Sequence, residues 1–183
     1  MRTVKFGMNI SLDGYCDHTF SVPDEALMDY FTATLDNVDL LFFGRVMYQM
    51  MFPYWEDVAG NESGTPAENR FAKRFSEIDR VVVSRTLDAG DARTEIIRGN
   101  PAEALLRLKQ LPGKDISVDT VSMLPELLRA GLIDEVNLVV HPVMVGNGRP
   151  LLEPGSLQQN MNLKLAETIH FDSGCMALHY RKK

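Results

Sequence analysis

Gly131-Leu132-Ile133-Asp134-Glu135-Val136-Asn137-Leu138-Val139-Val140-His141-Pro142-Val143-Met144-Val145-Gly146-Asn147-Gly148-Arg149-Pro150-Leu151 packs a helix stop, a strand and a glycine-rich turn into one short run. Gly131 supplies the left-handed stop for a helical pattern over about Ser122–Ala130, in which Pro125 falls in the first turn, where N–H groups have no intrahelical partner. Glu135–His141 then reads as a strand, and Gly146-Asn147-Gly148 as a turn with Arg149 beside it. Upstream, Asp115–Val118 is a short apolar run of the kind buried on both faces. Strand, helix, strand in this order is the βαβ unit of a parallel sheet.

Working outward, the same alternation continues. Thr3–Ile10 predicts a strand running into the turn-prone Asp13-Gly14. Asp24–Leu35 predicts a helix, with Leu27, Phe31 and Leu35 on one face, Tyr30 beside them, and Asp24 and Glu25 at its positive end. Val38–Phe43 reads as a buried strand ending at Gly44. Residues 53–66 carry Pro53, Gly60, Gly64 and Pro66 and predict an exposed loop, followed by a short helix over Ala67–Phe75. Arg80–Ser84 and Thr94–Ile97 are strands, and Asn100-Pro101 opens a helix that Pro112-Gly113 stops. Leu163–Asp172 and Cys175–Arg181 form a closing hairpin around Ser173-Gly174. The pattern predicts one α/β domain over residues 1–183. Val4–Ile10, Leu40–Phe43, Val81–Val83, Ile116–Val118 and Val136–Val140 are its expected central strands, with helices on both faces and antiparallel strands at the C-terminal end.

The 183 residues carry a net charge of −6, which argues against a broad nucleic-acid surface; a phosphorylated small ligand needs only a few placed cations. No stretch reaches the length of a membrane span, and Met1–Phe6 lacks a secretory core, so the cytoplasm is the expected location. Cys16 and Cys175 lie far apart without a C-x-x-C, and His18, His141, His170 and His179 show no ligand spacing, so no metal site is expected. Asp134 and Glu135 are adjacent on a strand and point to opposite faces, so they cannot act as a carboxylate dyad. No G-x-S-x-G elbow or Walker A pattern occurs.

Ligands of open α/β sheets bind at the carboxyl ends of the strands. There the chain places Ser11-Leu12-Asp13-Gly14, Gly44-Arg45-Val46, Ser84-Arg85-Thr86, Asp119-Thr120 and the Gly146–Gly148 turn. Each alone is an ordinary turn. Together, arginines after two strands and a glycine opening a helix suit an anionic dinucleotide.

These residues also carry a family resemblance. Ser11-Leu12-Asp13-Gly14, Gly44-Arg45-x-x-Tyr48, Val83-Ser84-Arg85-Thr86-Leu87, Gly131–Val136 and Pro142-Val143-x-Val145-Gly146-x-Gly148-x-Pro150-Leu151 resemble the reductase domain of the riboflavin-biosynthesis deaminase-reductases. That domain belongs to the dihydrofolate-reductase-like superfamily, and the stand-alone bacterial branch is the most similar. The resemblance implies a three-layer α/β/α fold and NADPH as hydride donor. It implies that Asn9 and Ser11 lie near the nicotinamide and that Gly44, Arg45 and Val46 open the helix facing the phosphates. Ser84 and Arg85 would meet the 2′-phosphate, Gly146 and Gly148 would form the turn by cofactor or substrate, and Asp13 would lie at the substrate mouth. No catalytic residue is assigned.

The implied activity is NADPH-dependent reduction of a small heterocyclic or carbonyl substrate, as in 5-amino-6-(5-phosphoribosylamino)uracil reductase, by a homodimer. The alternative is a non-catalytic ligand-binding or dimerising descendant. It draws on Asp119-Thr120 standing where the family has Gly-Gly, whose bareness lets backbone approach pyrophosphate. Weaker NADPH binding is therefore expected, restored by glycines at both positions. Folate is disfavoured, because Ala26 or Leu27 falls where dihydrofolate reductases present a carboxylate to the pterin, unless Glu25 or Asp29 takes that place.

Overall fold

The structure is a computed structural model and describes residues 1–17, 19–20 and 23–183. His18 lies outside the described residues. The first strand, β1 (Val4–Ser11), is followed by α1 (Glu25–Thr34), β2 (Val38–Gly44), α2 (Arg45–Asn61), α3 (Pro66–Ser76), β3 (Asp79–Val83) and β4 (Thr94–Ile97). Then come α4 (Pro101–Gln110), β5 (Asp115–Asp119), α5 (Leu124–Arg129), β6 (Glu135–His141) and the hairpin β7 (Leu163–His170) and β8 (Met176–Lys182).

The strands form an eight-stranded sheet in the order β4-β3-β2-β5-β1-β6-β8-β7. All pairings from β4 across to β6 are parallel, and β8 pairs antiparallel with both β6 and β7. Every expected central strand is in place. One face of the sheet (Val4, Phe6, Phe42, Val81, Ile116, Val118) packs under Leu105 and Leu108 of α4 and Leu124 and Leu127 of α5. On the other, Leu41, Phe43 and Val82 pack under α1, α2 and α3, and Leu27 of α1 covers Val139 and Ala177. Phe6, Phe42 and Phe43 are fully enclosed, and each such ring contributes roughly 1.5–3 kcal/mol of hydrophobic stabilisation. The architecture is therefore α/β/α, mixed and mostly parallel, with a C-terminal antiparallel hairpin.

Helix starts follow local chemistry. The Asp24 carboxylate accepts from Leu27 N at 2.8 Å, and Asn100 Oδ1 accepts from Glu103 N at 2.9 Å, with Pro101 in the first turn. Thr65 and Glu68 close a reciprocal capping box at α3.

The expected loop over residues 53–66 is corrected: α2 runs through Pro53 to Asn61, and Glu62 ends it in the left-handed region at φ 50°. Pro53 removes one helical hydrogen bond. Tyr48 and Phe52, both buried on the same turn of α2, stack at 5.1 Å and anchor it, so tertiary packing outweighs the local penalty. Buried Arg80 on β3 adds to the anchor, lying 4.2 Å over the Phe52 ring while donating to Asp91 at 2.8 Å and to Ser76 O at 2.9 Å. Asp134 and Glu135 do diverge. Asp134 accepts from Val4 N at 2.8 Å and pairs with Lys109, whereas Glu135 faces His179 and Arg181 at 3.1 and 3.3 Å.

Candidate active site at the carboxyl ends of the strands

Because β1 to β6 run parallel, their carboxyl ends gather along one edge of the sheet, and the singled-out residues fall there in separate groups. The first group spans β4, β3 and β2. Gly44 is the N-cap of α2 and has no side chain to occupy its first-turn N–H groups, and Arg45 follows, exposed, donating to Gln49 Oε1 at 2.8 Å. Val46 beside it is exposed too. On the neighbouring strand, buried Ser84 uses its oxygen to accept from Thr86 N at 3.2 Å and Leu87 N at 2.9 Å, shaping the turn that holds Arg85 out in solvent. Arg98 at the end of β4 donates to the carbonyls of Arg85 at 2.9 Å and Leu87 at 3.0 Å. Arg45, Arg85 and Arg98 thus stand at the ends of adjacent strands, and among the described residues none of them pairs with a carboxylate. Arg98 is missed by the sequence reading, although it obeys the same rule, a cation directly after a strand.

The second group belongs to β1 and β6. Ser11 is buried, donates to Asp13 at 2.6 Å and accepts from Tyr15 N at 3.0 Å. Asp13 in turn accepts from Val145 N at 3.2 Å and Gly146 N at 2.7 Å. The Ser11 hydroxyl and these backbone N–H groups hold the Asp13 pKa down to about 2. Asp13 is therefore the anchor of the Gly146 turn. Gly148 sits at φ 126° against the Asp17 carboxylate, which accepts from Arg149 N at 2.7 Å, so a side chain there would be both strained and blocked. Backbone bonds from Leu12 to Val143, Cys16 to Arg149 and Leu151 to Gly14 bind the two loops together.

The third group lies deeper. Register places Ser11 beside His141 on adjacent strands. His141, buried, has Nε2 3.0 Å from Asn9 Oδ1 and Nδ1 3.3 Å from Cys175 Sγ, with the Phe20 ring edge-on at 5.4 Å. Burial holds its pKa below the usual histidine range.

Asp119 and Thr120 part company. Asp119 shares the sheet face of Phe43, its register partner on β2, and its carboxylate accepts one hydrogen bond, from Ser117 Oγ at 3.2 Å. Exclusion of water pushes its pKa up to about 7, against the opposing pull of the Ser117 bond. Thr120 turns inward instead. It is 1% exposed, its Oγ1 accepts from Met123 N at 3.4 Å, and it fills the space left by the missing side chain of Gly44. Thr120, packed inside, is therefore turned away from the strand-end rim, contrary to the expectation that both side chains occupy the space the glycines would leave open.

On α1 the carboxylates face away from the sheet. Glu25 and Asp29 both pair with Arg70 of α3, at 3.6 and 2.6 Å, and it is Leu27 that points inward. A cavity of about 540 Å³ lies elsewhere, between α5 and the segment before β7; its lining, including Phe6, Leu128, Val136 and Leu157, holds no charged group to pair with a phosphate. No described helix is long and apolar enough to cross a membrane.

The residues fit a dinucleotide phosphate chain. First-turn N–H groups at α2 that no side-chain cap occupies, and a row of guanidinium groups without carboxylate partners among the described residues, are the donors it requires.

Comparison with known proteins agrees with the fold. The chain is 29% identical over 183 residues to the uncharacterized protein YyaP of Bacillus subtilis (strain 168), covering 98% of this chain and 94% of that one. Its fold matches Acinetobacter baumannii RibD with a TM-score of 0.67 at 16% identity, over 100% of this chain and 58% of that one. It also matches Enterococcus faecalis dihydrofolate reductase, solved in complex with NADP(H), with a TM-score of 0.64 at 10% identity, over 99% and 96% of the two chains. Residues 2–177 match the RibD C-terminal domain, and the chain belongs to that family.

Proposed function

We propose that this protein is an NADPH-dependent reductase of a small heterocyclic or carbonyl substrate, of the ribosylamino-pyrimidine type used in riboflavin biosynthesis, working in the cytoplasm as a homodimer. The row Arg45, Arg85 and Arg98 beside the open N-terminus of α2 is the observation that carries this reading. Arg85 and Arg98 hold the 2′-phosphate, and α2 with Arg45 holds the pyrophosphate. The nicotinamide, when bound, supplies the hydride, and the protein orients it and keeps water away. Asn9 and Ser11 line the nicotinamide end, and the turn pinned by Asp13 borders the substrate. Burial pushes the Asp119 carboxyl up to about 7, so near neutral pH it is ionised in only about half of the molecules, which lessens the negative charge facing the phosphates.

Titration of the purified protein with NADPH, followed by its fluorescence, tests the reading: saturable binding that NADH reproduces only weakly is expected, and no saturable change overturns it. A second reading, a binding module without catalysis, is favoured by Asp119 at a position where the family resemblance implies glycine. It predicts no saturable NADPH binding, so the same titration separates the two readings. A folate substrate is disfavoured by the pairing of Glu25 and Asp29 with Arg70.

A further inference from the structure

The Cys175–His141–Asn9 chain has a direction, and the direction fixes what the site can recognise. An amide oxygen can only accept, so the 3.0 Å contact between Asn9 Oδ1 and His141 Nε2 requires the proton on Nε2. A neutral imidazole then has a bare Nδ1, and the group 3.3 Å from it is the thiol of Cys175, whose S–H is the available donor. Cys175 and His141 are both buried, so water does not compete for these positions. The chain runs S–H to Nδ1, then Nε2–H to Oδ1. With its oxygen so occupied, Asn9 turns its NH2 group the other way. Among the described residues no partner meets that nitrogen. Asn9 is half-buried, and two positions back on the same face of β1 is Gly7, over which a side chain would find open space.

We propose that His141 and Cys175 are positioning residues that lock the Asn9 amide with its N–H donors facing the site, so that Asn9 selects a ring carrying a carbonyl oxygen. This rests on the reading of the strand ends as a reductase site. The carbonyl comes from the nicotinamide carboxamide or from a pyrimidinedione substrate, and the donors of Asn9 suit both equally.

Long-range proton–nitrogen NMR of the imidazole decides the orientation without any ligand. The Nε2–H tautomer is expected for His141 in the wild type and in Cys175→Ser, which keeps a donor. A mixed or reversed tautomer is expected in Cys175→Val. An Nδ1–H tautomer in the wild type overturns the proposal, because Asn9 would then offer its oxygen to the ligand. The source of the carbonyl is read from titrations with NADPH, with 2′,5′-ADP, which lacks the nicotinamide, and with lumazine, a fluorescent pyrimidinedione. Asn9→Leu and His141→Leu should each weaken NADPH or lumazine by about tenfold, the loss of one hydrogen bond, while 2′,5′-ADP binds as before. His141→Gln, which restores an N–H donor, should recover part of it. Equal weakening of 2′,5′-ADP, or no weakening of NADPH and lumazine, overturns the proposal. Failure of every probe to bind the wild type, with the Nε2–H tautomer present, removes the reductase reading and with it the ligand selection, but leaves the orientation of Asn9 standing.

Discussion

Gly44 and Thr120 meet where β2 and β5 end: a Cβ added to Gly44 would stand 2.7 Å from Thr120 Oγ1 and 3.4 Å from its Cβ. Gly44 and Thr120 are thus complementary halves of one contact. Gly44→Ala should destabilise the protein by about 1–3 kcal/mol, the usual cost of overpacking. Thr120→Ala, which removes the obstructing oxygen, should recover much of that in the double variant. Urea melts of the four proteins give the coupling, and strictly additive effects would show that the two side chains do not meet.

Asp119 should make stability fall as pH rises. Its carboxyl pKa is about 7 in the folded protein, against about 4 in an unfolded chain. Between those values the native state holds a proton that the unfolded chain has released, so stability declines through that window and levels off above it. Asp119→Asn should abolish this component, gaining on the order of 1–3 kcal/mol at pH 8 and little at pH 4. Thermal melts of both proteins across that range check it.

If NADPH binds as proposed, the same carboxylate, when ionised, would oppose its phosphates. At about 6 Å and an effective dielectric of about 20 the repulsion is roughly 3 kcal/mol before screening, which leaves about 1 kcal/mol, or several-fold in affinity. Asp119→Asn should therefore tighten NADPH at pH 8 and leave it nearly unchanged at pH 5.5. Replacing both Asp119 and Thr120 by glycine should also tighten it but lower the melting temperature, since Thr120 is packed inside. Calorimetric titration at both pH values decides the matter.

Arg85→Ala and Arg98→Ala should each weaken NADPH several-fold and spare NADH, because only NADPH carries the 2′-phosphate these guanidinium groups can pair with. The contrast in dissociation constants between the two cofactors is the measurement. Equal losses would mark the arginines as structural.

Asp13→Asn should loosen the turn at Gly146 without unfolding the sheet. The wild-type carboxylate keeps its charge until the pH falls to about 2, so the clamp is expected to persist through mild acid. Faster hydrogen exchange at Val145 and Gly146 in the variant, with β6 still protected, is the expected result.

Much of this was readable from local chemistry. Strands such as Leu40–Phe43 and Ile116–Val118 are short apolar runs bounded by turn residues, and Asn100-Pro101 announces α4 through its cap. The second half of α2 is not readable, because Pro53 and Gly60 forbid locally what the packing of Tyr48 and Phe52 permits. Nor is the pairing of Asn9 with His141, 132 residues apart, which follows only once β1 and β6 lie side by side in a fixed register. Gly44 against Thr120 is hidden for the same reason: the contact belongs to strand order, not to either segment. Arg45 and Arg85 are visible one by one, but their alignment with each other and with Arg98 needs the order β4-β3-β2.

The loops after β1 and β6 are stitched by Leu12–Val143, Cys16–Arg149 and Leu151–Gly14 backbone bonds and by the clamps of Asp13 and Asp17. Mechanically they are one plate riveted along its length, although they lie far apart in the chain. Transplanting one loop from a relative would tear the rivets, whereas exchanging both together would carry the whole rim across intact. A change that breaks a rivet in one segment should be tolerated only with a matching change in the other, so variation among members of the family is expected in matched pairs along that seam.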